Sequence, residues 1–508
     1  MNYGGRYRNT PAHLIHQAKA ENLNFVYNLI VNKEQRIIDY PYFSTSPDLL
    51  STDEVKLLHG QEFHTSYWGH LGLLGLNDHL ILPDYSGYPQ TAVESLFPNN
   101  NFIADRAHEQ NGLVGYVHPF EQAELFPDQS PTLTNELPVE AALGKVDYYE
   151  VIGFAEHKAS EYVWYKLLNC GFRIPAAAGT DAMANYASLR GPVGMNRVYV
   201  KGYGPLDHKL FEQNLKAGKS FVTNGPMVGL NVENSGPGDS LTISPKGQKL
   251  SYSGFVRSSI PVEYVEVVLN GEVVATHSGS GSVKSLDVSG SVQVRGPGWM
   301  LFRAWSKNPH PDLPDMYAYA STNPIYIQQP GKTLQSKSSA EFFLLLNPDA
   351  RIAVDDVLLL AGALADEPGL GAVSPKIYWN EQRSFVLPAA FPQTPWYSIA
   401  LPLGTHSRRL TQWAAHRSLN GAMQQMASKN PFEVPFLAGS VMMLRRKAVL
   451  FSNGLFDPDY FMFFEDADLS VRLRRAGYSL AIVPAATAEH EYRHKAFKAG
   501  MMSKSQHQ

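Results

Sequence analysis

Cys170 is the only cysteine in the 508-residue chain, so no disulfide can form within it, and a reducing compartment such as the cytoplasm is the simplest expectation. Long apolar runs are also missing. The longest, such as Phe342 to Leu346 and Val357 to Leu364, fall far short of the ~20 residues a membrane-spanning helix needs. Met1 to Arg8 has no apolar stretch of the kind found in a secretory signal, so export is not expected. A net charge of -4 gives no electrostatic footprint for nucleic acid or anionic membrane, which leaves small or neutral partners. There is no internal repeat.

The composition is that of a folded chain: 44% of residues are apolar and 18% charged. At about 150 residues per domain the length implies several modules. Up to about residue 230, short apolar runs such as Asn24 to Val31, Gly112 to Val117 and Tyr148 to Ile152 alternate with helix-like stretches. That alternation predicts βαβ units and a parallel sheet with its site at the strand ends. From 231 to 328 the texture changes to short alternating strands split by Gly and Ser. Val262 to Leu269 followed by Asn270-Gly271 is a strong hairpin signal, and a small β-sandwich is expected. Residues 329–340 are polar, lack periodicity and read as a linker. An α/β pattern resumes at 341–497, with helices expected over Val354 to Ala365 and Asp466 to Ala476, and 498–508 reads as a frayed tail.

Ten of the 17 histidines precede residue 230. The informative ones sit in polar clusters: Glu62-Phe63-His64 with Gly69-His70, His118-Pro119, Glu150 with His157, and Gly179-Thr180-Asp181. Imidazole and carboxylate at strand ends suit a hydrolytic Zn, Mn or Fe site, which must hold a water and lower its pKa. Any one cluster alone reads equally as a capped turn; several, each after an apolar strand, point to a metal.

The order Gly60-Gln61-Glu62, Gly69-His70, Gly115 to Pro119, Tyr149-Glu150-Val151 and Gly179 to Ala182 resembles the PHP superfamily of metal-dependent hydrolases, most closely its carbaryl-hydrolase-like branch. Phe221 to Pro226 is similar to that branch too. The resemblance covers residues 1 to about 328 and implies a PHP-type (β/α) barrel holding two or three metals, followed by a β-domain. It implies Glu62, His70, His118, Glu150 and Asp181 as metal ligands, with His64 and His157 as groups that orient them. Against the family pattern, the chain opens at Asn2-Tyr3-Gly4-Gly5, which resembles the segment after the family's His-x-His strand. The barrel is therefore expected to be truncated. Ala182 and Met183 follow Asp181 where the family carries a further histidine.

In the last third, Leu344 to Ala350 puts Asp349 directly after an apolar strand, where a carboxylate could hold a divalent cation on a diphosphate. Phe461 to Phe464 then lead into Glu465-Asp466-Ala467-Asp468-Leu469, aromatics before paired acids at a helix start. Acids also favour the first turn of any helix. Together with Phe436 to Ser440, Met443 to Arg446 and Arg472 to Tyr478, these motifs resemble the acceptor-side half of family 2, rhamnosyl-type glycosyltransferases of the GT-A fold. The resemblance implies Asp466 as catalytic base with Glu465 beside it, Asp349 as the Mg or Mn ligand, Gly439 in the acceptor loop and His490 near the diphosphate. A nucleotide-sugar donor and a glycan acceptor are implied as partners. Three functions are open from sequence: a metal-dependent hydrolase fused to a glycosyltransferase fragment, a glycosyltransferase, or a non-catalytic carbohydrate- or partner-binding protein.

Overall fold

A computed structural model describes residues 8–32, 37–65, 67–88, 91–120, 134–154, 156–185, 191–277, 281–332, 334, 342–347, 350–379, 382–383, 386, 427–452, 454–457 and 465–490. The protein is mixed α/β and divides into two compact units, Met1–Ser336 and Lys337–Gln508. Most of the expected linker, all of the tail and Asp349 lie outside the described residues.

The first unit opens with a six-stranded sheet in chain order: β1 (Phe25–Val31), β2 (Lys56–Thr65), β3 (Gly69–Leu74), β4 (Leu113–Tyr116), β5 (Tyr148–Ile152) and β6 (Ala176–Ala178). β1 and β2 are parallel, as are β4, β5 and β6. β3 departs from the parallel expectation and runs against both neighbours. The reason is length: so few residues separate Thr65 from Gly69 that no crossover can form, whereas a parallel return needs a dozen or more.

Helices α1 (Pro11–Ala20), α2 (Asn100–His108), α3 (Leu137–Leu143), α4 (His157–Asn169) and α5 (His208–Lys216) accompany the strands. Local chemistry sets their ends. Asn99 caps α2 by accepting from Phe102 N at 3.0 Å, and Gly144 ends α3 in a left-handed conformation that costs a glycine little. Along β1 the period of two splits the side chains. Val26 packs with Leu14, Ile15 and Ala18 of α1, while Tyr27 and Leu29 face Leu74, Tyr148 and Leu215.

Two further sheets follow. One pairs β7 (Arg197–Val200), β8 (Ser220–Thr223), β10 (Ser240–Thr242), β12 (Tyr264–Leu269), β13 (Glu272–Thr276), β15 (Gly298–Trp305), β16 (Tyr319–Thr322) and β17 (Ile325–Gln328). The other pairs β9 (Met227–Val232), β11 (Gln248–Val262) and β14 (Val283–Val294). Val228, Leu230 and Val256 from one join Met300, Phe302 and Ala320 from the other in a single core. β7 and β8 precede residue 230, so this sheet reaches back past the boundary drawn from sequence texture. A buried charge network joins α4 to it: Arg303 donates to Glu161 at 2.7 Å and to Glu266 at 2.8 Å, and Tyr319 donates to Glu161 at 2.6 Å.

The second unit orders β18 (Phe342–Leu346), β22 (Val441–Arg445), β20 (Leu370–Tyr378), β23 (Ser479–His490) and β19 (Ala350–Ile352) in one sheet, with β21 (Phe432–Glu433) on β23. Helices α6 (Val354–Asp366), α7 (Arg446–Phe451) and α8 (Glu465–Arg475) accompany it. Leu469 and Leu473 of α8 pack with Leu437, Met442 and Ile482.

Candidate functional site

In the first unit the β2–β3 hairpin does the assembling. Antiparallel register sets His64 opposite His70 and Glu62 opposite Gly72. Alternation then aims Glu62, His64 and His70 to one face. The imidazoles of His64 and His70 stack 3.8 Å apart, and His118, just past the end of β4, meets His70 edge-on. One oxygen, Glu62 Oε1, lies 2.8 Å from His64 Nε2, 3.2 Å from His70 Nδ1 and 2.9 Å from His118 Nε2.

Burial opposes ionisation of Glu62, but the His64 charge and hydrogen bonds from His118, His64 and His70 outweigh it and hold the carboxyl well below its usual range. Burial, partly offset by Glu62, lowers His70 to about 4. Neutral imidazoles around an ionised carboxylate are the form in which both bind metals. The donor set fits a metal: Glu62, His64 and His70 each offer a ligand atom within 4.8 Å of the others, and buried His64 Nδ1 has no hydrogen-bond partner.

Glu150, at the middle of β5, accepts from the backbone N of His118 at 2.8 Å, and burial pushes its carboxyl up to about 7. Gly179 makes room for it: a Cβ there would sit 2.4 Å from Glu150 Oε1. His118 (φ 30°) and Asp181 (φ 52°) both hold left-handed backbone, a costly conformation that clusters at functional positions. Glu62, His64, His70, His118, Glu150 and Asp181 all line one cavity of about 770 Å³.

His157 sits elsewhere. It is fully buried at the start of α4 with Nε2 3.1 Å from Asp315 Oδ2, and Asn224 donates to the same oxygen at 2.7 Å. Sequence reasoning also misses Asn32, whose Oδ1 accepts from His64 N at 2.7 Å and whose Nδ2 donates to Leu82 O at 3.0 Å. A polar residue closing the apolar run of β1 is the signal that could have found it.

In the second unit Asp466 lies in the first turn of α8 and accepts from Gly439 N at 2.9 Å, so the loop before β22 is fastened to the helix that carries the paired acids. Glu465 is half-buried, and burial raises its carboxyl. His490 ends β23 opposite Ala350.

The carboxyl-terminal segment resembles the family 2 glycosyltransferases. The model of that family, described as glycosyltransferase like family 2, matches residues 366–504. N-acetylglucosaminyl-diphospho-decaprenol L-rhamnosyltransferase from two strains of Mycobacterium tuberculosis is 30% identical over 160 residues, 32% of this chain. The chain spans about half the length of these relatives, 49%. Among solved structures, GalNAc-T7 with UDP, GalNAc and Mn2+ overlaps 33% of this chain and 32% of its own at 15% identity and a TM-score of 0.21. A two-domain protein from Bacteroides vulgatus containing a predicted PHP-like metal-dependent phosphoesterase overlaps 62% of this chain and 90% of its own at 10% identity and a TM-score of 0.31.

Proposed function

We propose that the first unit is a metal-dependent hydrolase of phosphoester, amide or carbamate bonds, built as a PHP-type barrel with an appended β-sandwich. One observation carries this reading: a single buried carboxylate oxygen lies within 3.2 Å of three imidazole nitrogens at the wall of a ligand-sized cavity. Glu62, His70, His118 and Asp181, with Glu150, are the residues that would hold Zn, Mn or Fe. Such an ion supplies a polarised carbonyl or phosphoryl oxygen and an acidified water. His64 fixes the Glu62 carboxylate in place, and Glu150 fixes the His118 backbone. Asn32, in turn, ties down His64.

The test is elemental analysis of the purified chain beside Glu62→Ala and Asp181→Ala, with a panel of aryl phosphates, carbamates and amides. Near-stoichiometric transition metal that falls in both variants, with turnover reduced at least ~100-fold, is the expected outcome. Metal-free, inactive wild-type protein would overturn the reading.

A second activity belongs to the second unit, where the match over residues 366–504 and the Gly439–Asp466 contact support glycosyl transfer on a GT-A fold. In that reading Asp466 takes the proton of an acceptor hydroxyl with Glu465 beside it. Asp349 and His490 serve the diphosphate of a nucleotide-sugar donor with Mg or Mn, and Gly439 shapes the site of a glycan acceptor.

A further inference from the structure

The cavity continues well beyond the Glu62 cluster. Register sets Val31 of β1 beside Glu62. From there Val31, Leu29, Tyr27 and Phe25, alternate residues of one strand face, all line the cavity. Six residues at about 3.3 Å each make this wall ~20 Å long. Its far end is aromatic: the Phe211 ring lies 4.7 Å from that of Phe25 and 6.0 Å from that of Tyr27.

Charge is absent from this wall because the nearby ionic groups already have partners. Glu212 accepts from Tyr27 Oη at 2.9 Å and from Lys209 Nζ at 3.0 Å, which leaves the tyrosine ring rather than its hydroxyl for a ligand. Asp207 is spent on capping α5, accepting from Lys209 N at 2.8 Å and Leu210 N at 3.2 Å. The cavity thus has an ionic head and a long apolar trough.

We propose that this trough is a subsite for an unbranched hydrocarbon chain, the acyl or alkyl tail of a substrate whose scissile bond lies at the Glu62 cluster. The assignment of the scissile bond rests on the hydrolase reading above; the trough itself rests on the β1 wall. An apolar chain gains from every methylene taken out of water, whereas a small phosphate ester would leave the wall bare.

The experiment measures calorimetric binding of octanamide and acetamide to the full chain, beside turnover of the p-nitroanilides of octanoate and acetate. At up to about threefold per methylene, octanamide is expected to bind on the order of 100-fold tighter. Leu29→Trp, which fills the trough, should cut that ratio at least ~10-fold. If the bulky variant fails to fold, Leu29→Asn puts an amide in the trough and should cut the ratio likewise. A wild-type ratio near one, or a ratio unchanged in a folded variant, overturns the proposal. Strong chain-length dependence in a metal-free, inactive protein would sink the hydrolase reading and leave the trough standing; turnover without chain-length preference would do the reverse.

Discussion

At Glu161 burial and charge pull in opposite directions. Burial alone would raise its carboxyl, but Lys158 and Arg303 beside it, with hydrogen bonds from Lys158 and Tyr319, bring it down to about 2. A folded-state value below the unfolded one contributes stability that is complete above about pH 4.5 and lost as pH falls toward 2, on the order of 3 kcal/mol. Glu136 has the opposite sign: burial, only partly offset by hydrogen bonds from Asn100 and Asn101, raises it to about 7. The folded state then holds a proton the unfolded chain releases, so this contribution is complete below about pH 4.5 and lost as pH rises to about 7, again a few kcal/mol. Melts at pH 3, 5 and 8 should show the first unit most stable near pH 5, and Glu136→Gln should flatten the decline toward pH 8. An unchanged decline in that variant would rule Glu136 out as its source. These signs were not legible in sequence, since each acid looks ordinary until Arg303 and Asn100 reach it from distant segments.

Among the elements, legibility followed how local the cause is. The Asn270-Gly271 hairpin is where the dipeptide puts it, with both residues at positive φ between β12 and β13. The helices expected over Val354 to Ala365 and Asp466 to Ala476 occur at Val354–Asp366 and Glu465–Arg475. β3 was misjudged as parallel because an alternating texture outweighed a short spacing that forbids a crossover. Gly144 offers an element-scale test. It closes α3 at φ 73° with nothing within 4 Å of where a Cβ would go, so Gly144→Ala meets only backbone strain. A loss of about 1 kcal/mol in denaturant unfolding is expected, with metal content unchanged. No loss would mean the helix end rearranges freely.

For the whole molecule, each unit carries its own buried core, Val114, Tyr149 and Trp164 in the first and Met442, Leu469 and Ile482 in the second. Calorimetry is therefore expected to resolve two transitions, with Glu62→Ala moving only one and a nucleoside diphosphate sugar plus Mn moving only the other. Asp466→Asn should reduce sugar transfer without abolishing that second shift; a sugar nucleotide that shifts neither transition would remove the glycosyltransferase reading. No helix among the described residues is long and apolar enough to cross a membrane. The sequence by itself determined the division of the chain, the hairpin at Asn270-Gly271, and the residue types from which the site is drawn, because turn chemistry, periodicity and motif spacing are properties of neighbours in the chain. Only the tertiary structure decided that Glu62 and three histidines share one oxygen, that His157 is committed to Asp315, and that β1 forms a 20 Å apolar wall leading away from that cluster. Those are distances between segments up to 158 residues apart, which strand pairing and packing fix and local pattern does not.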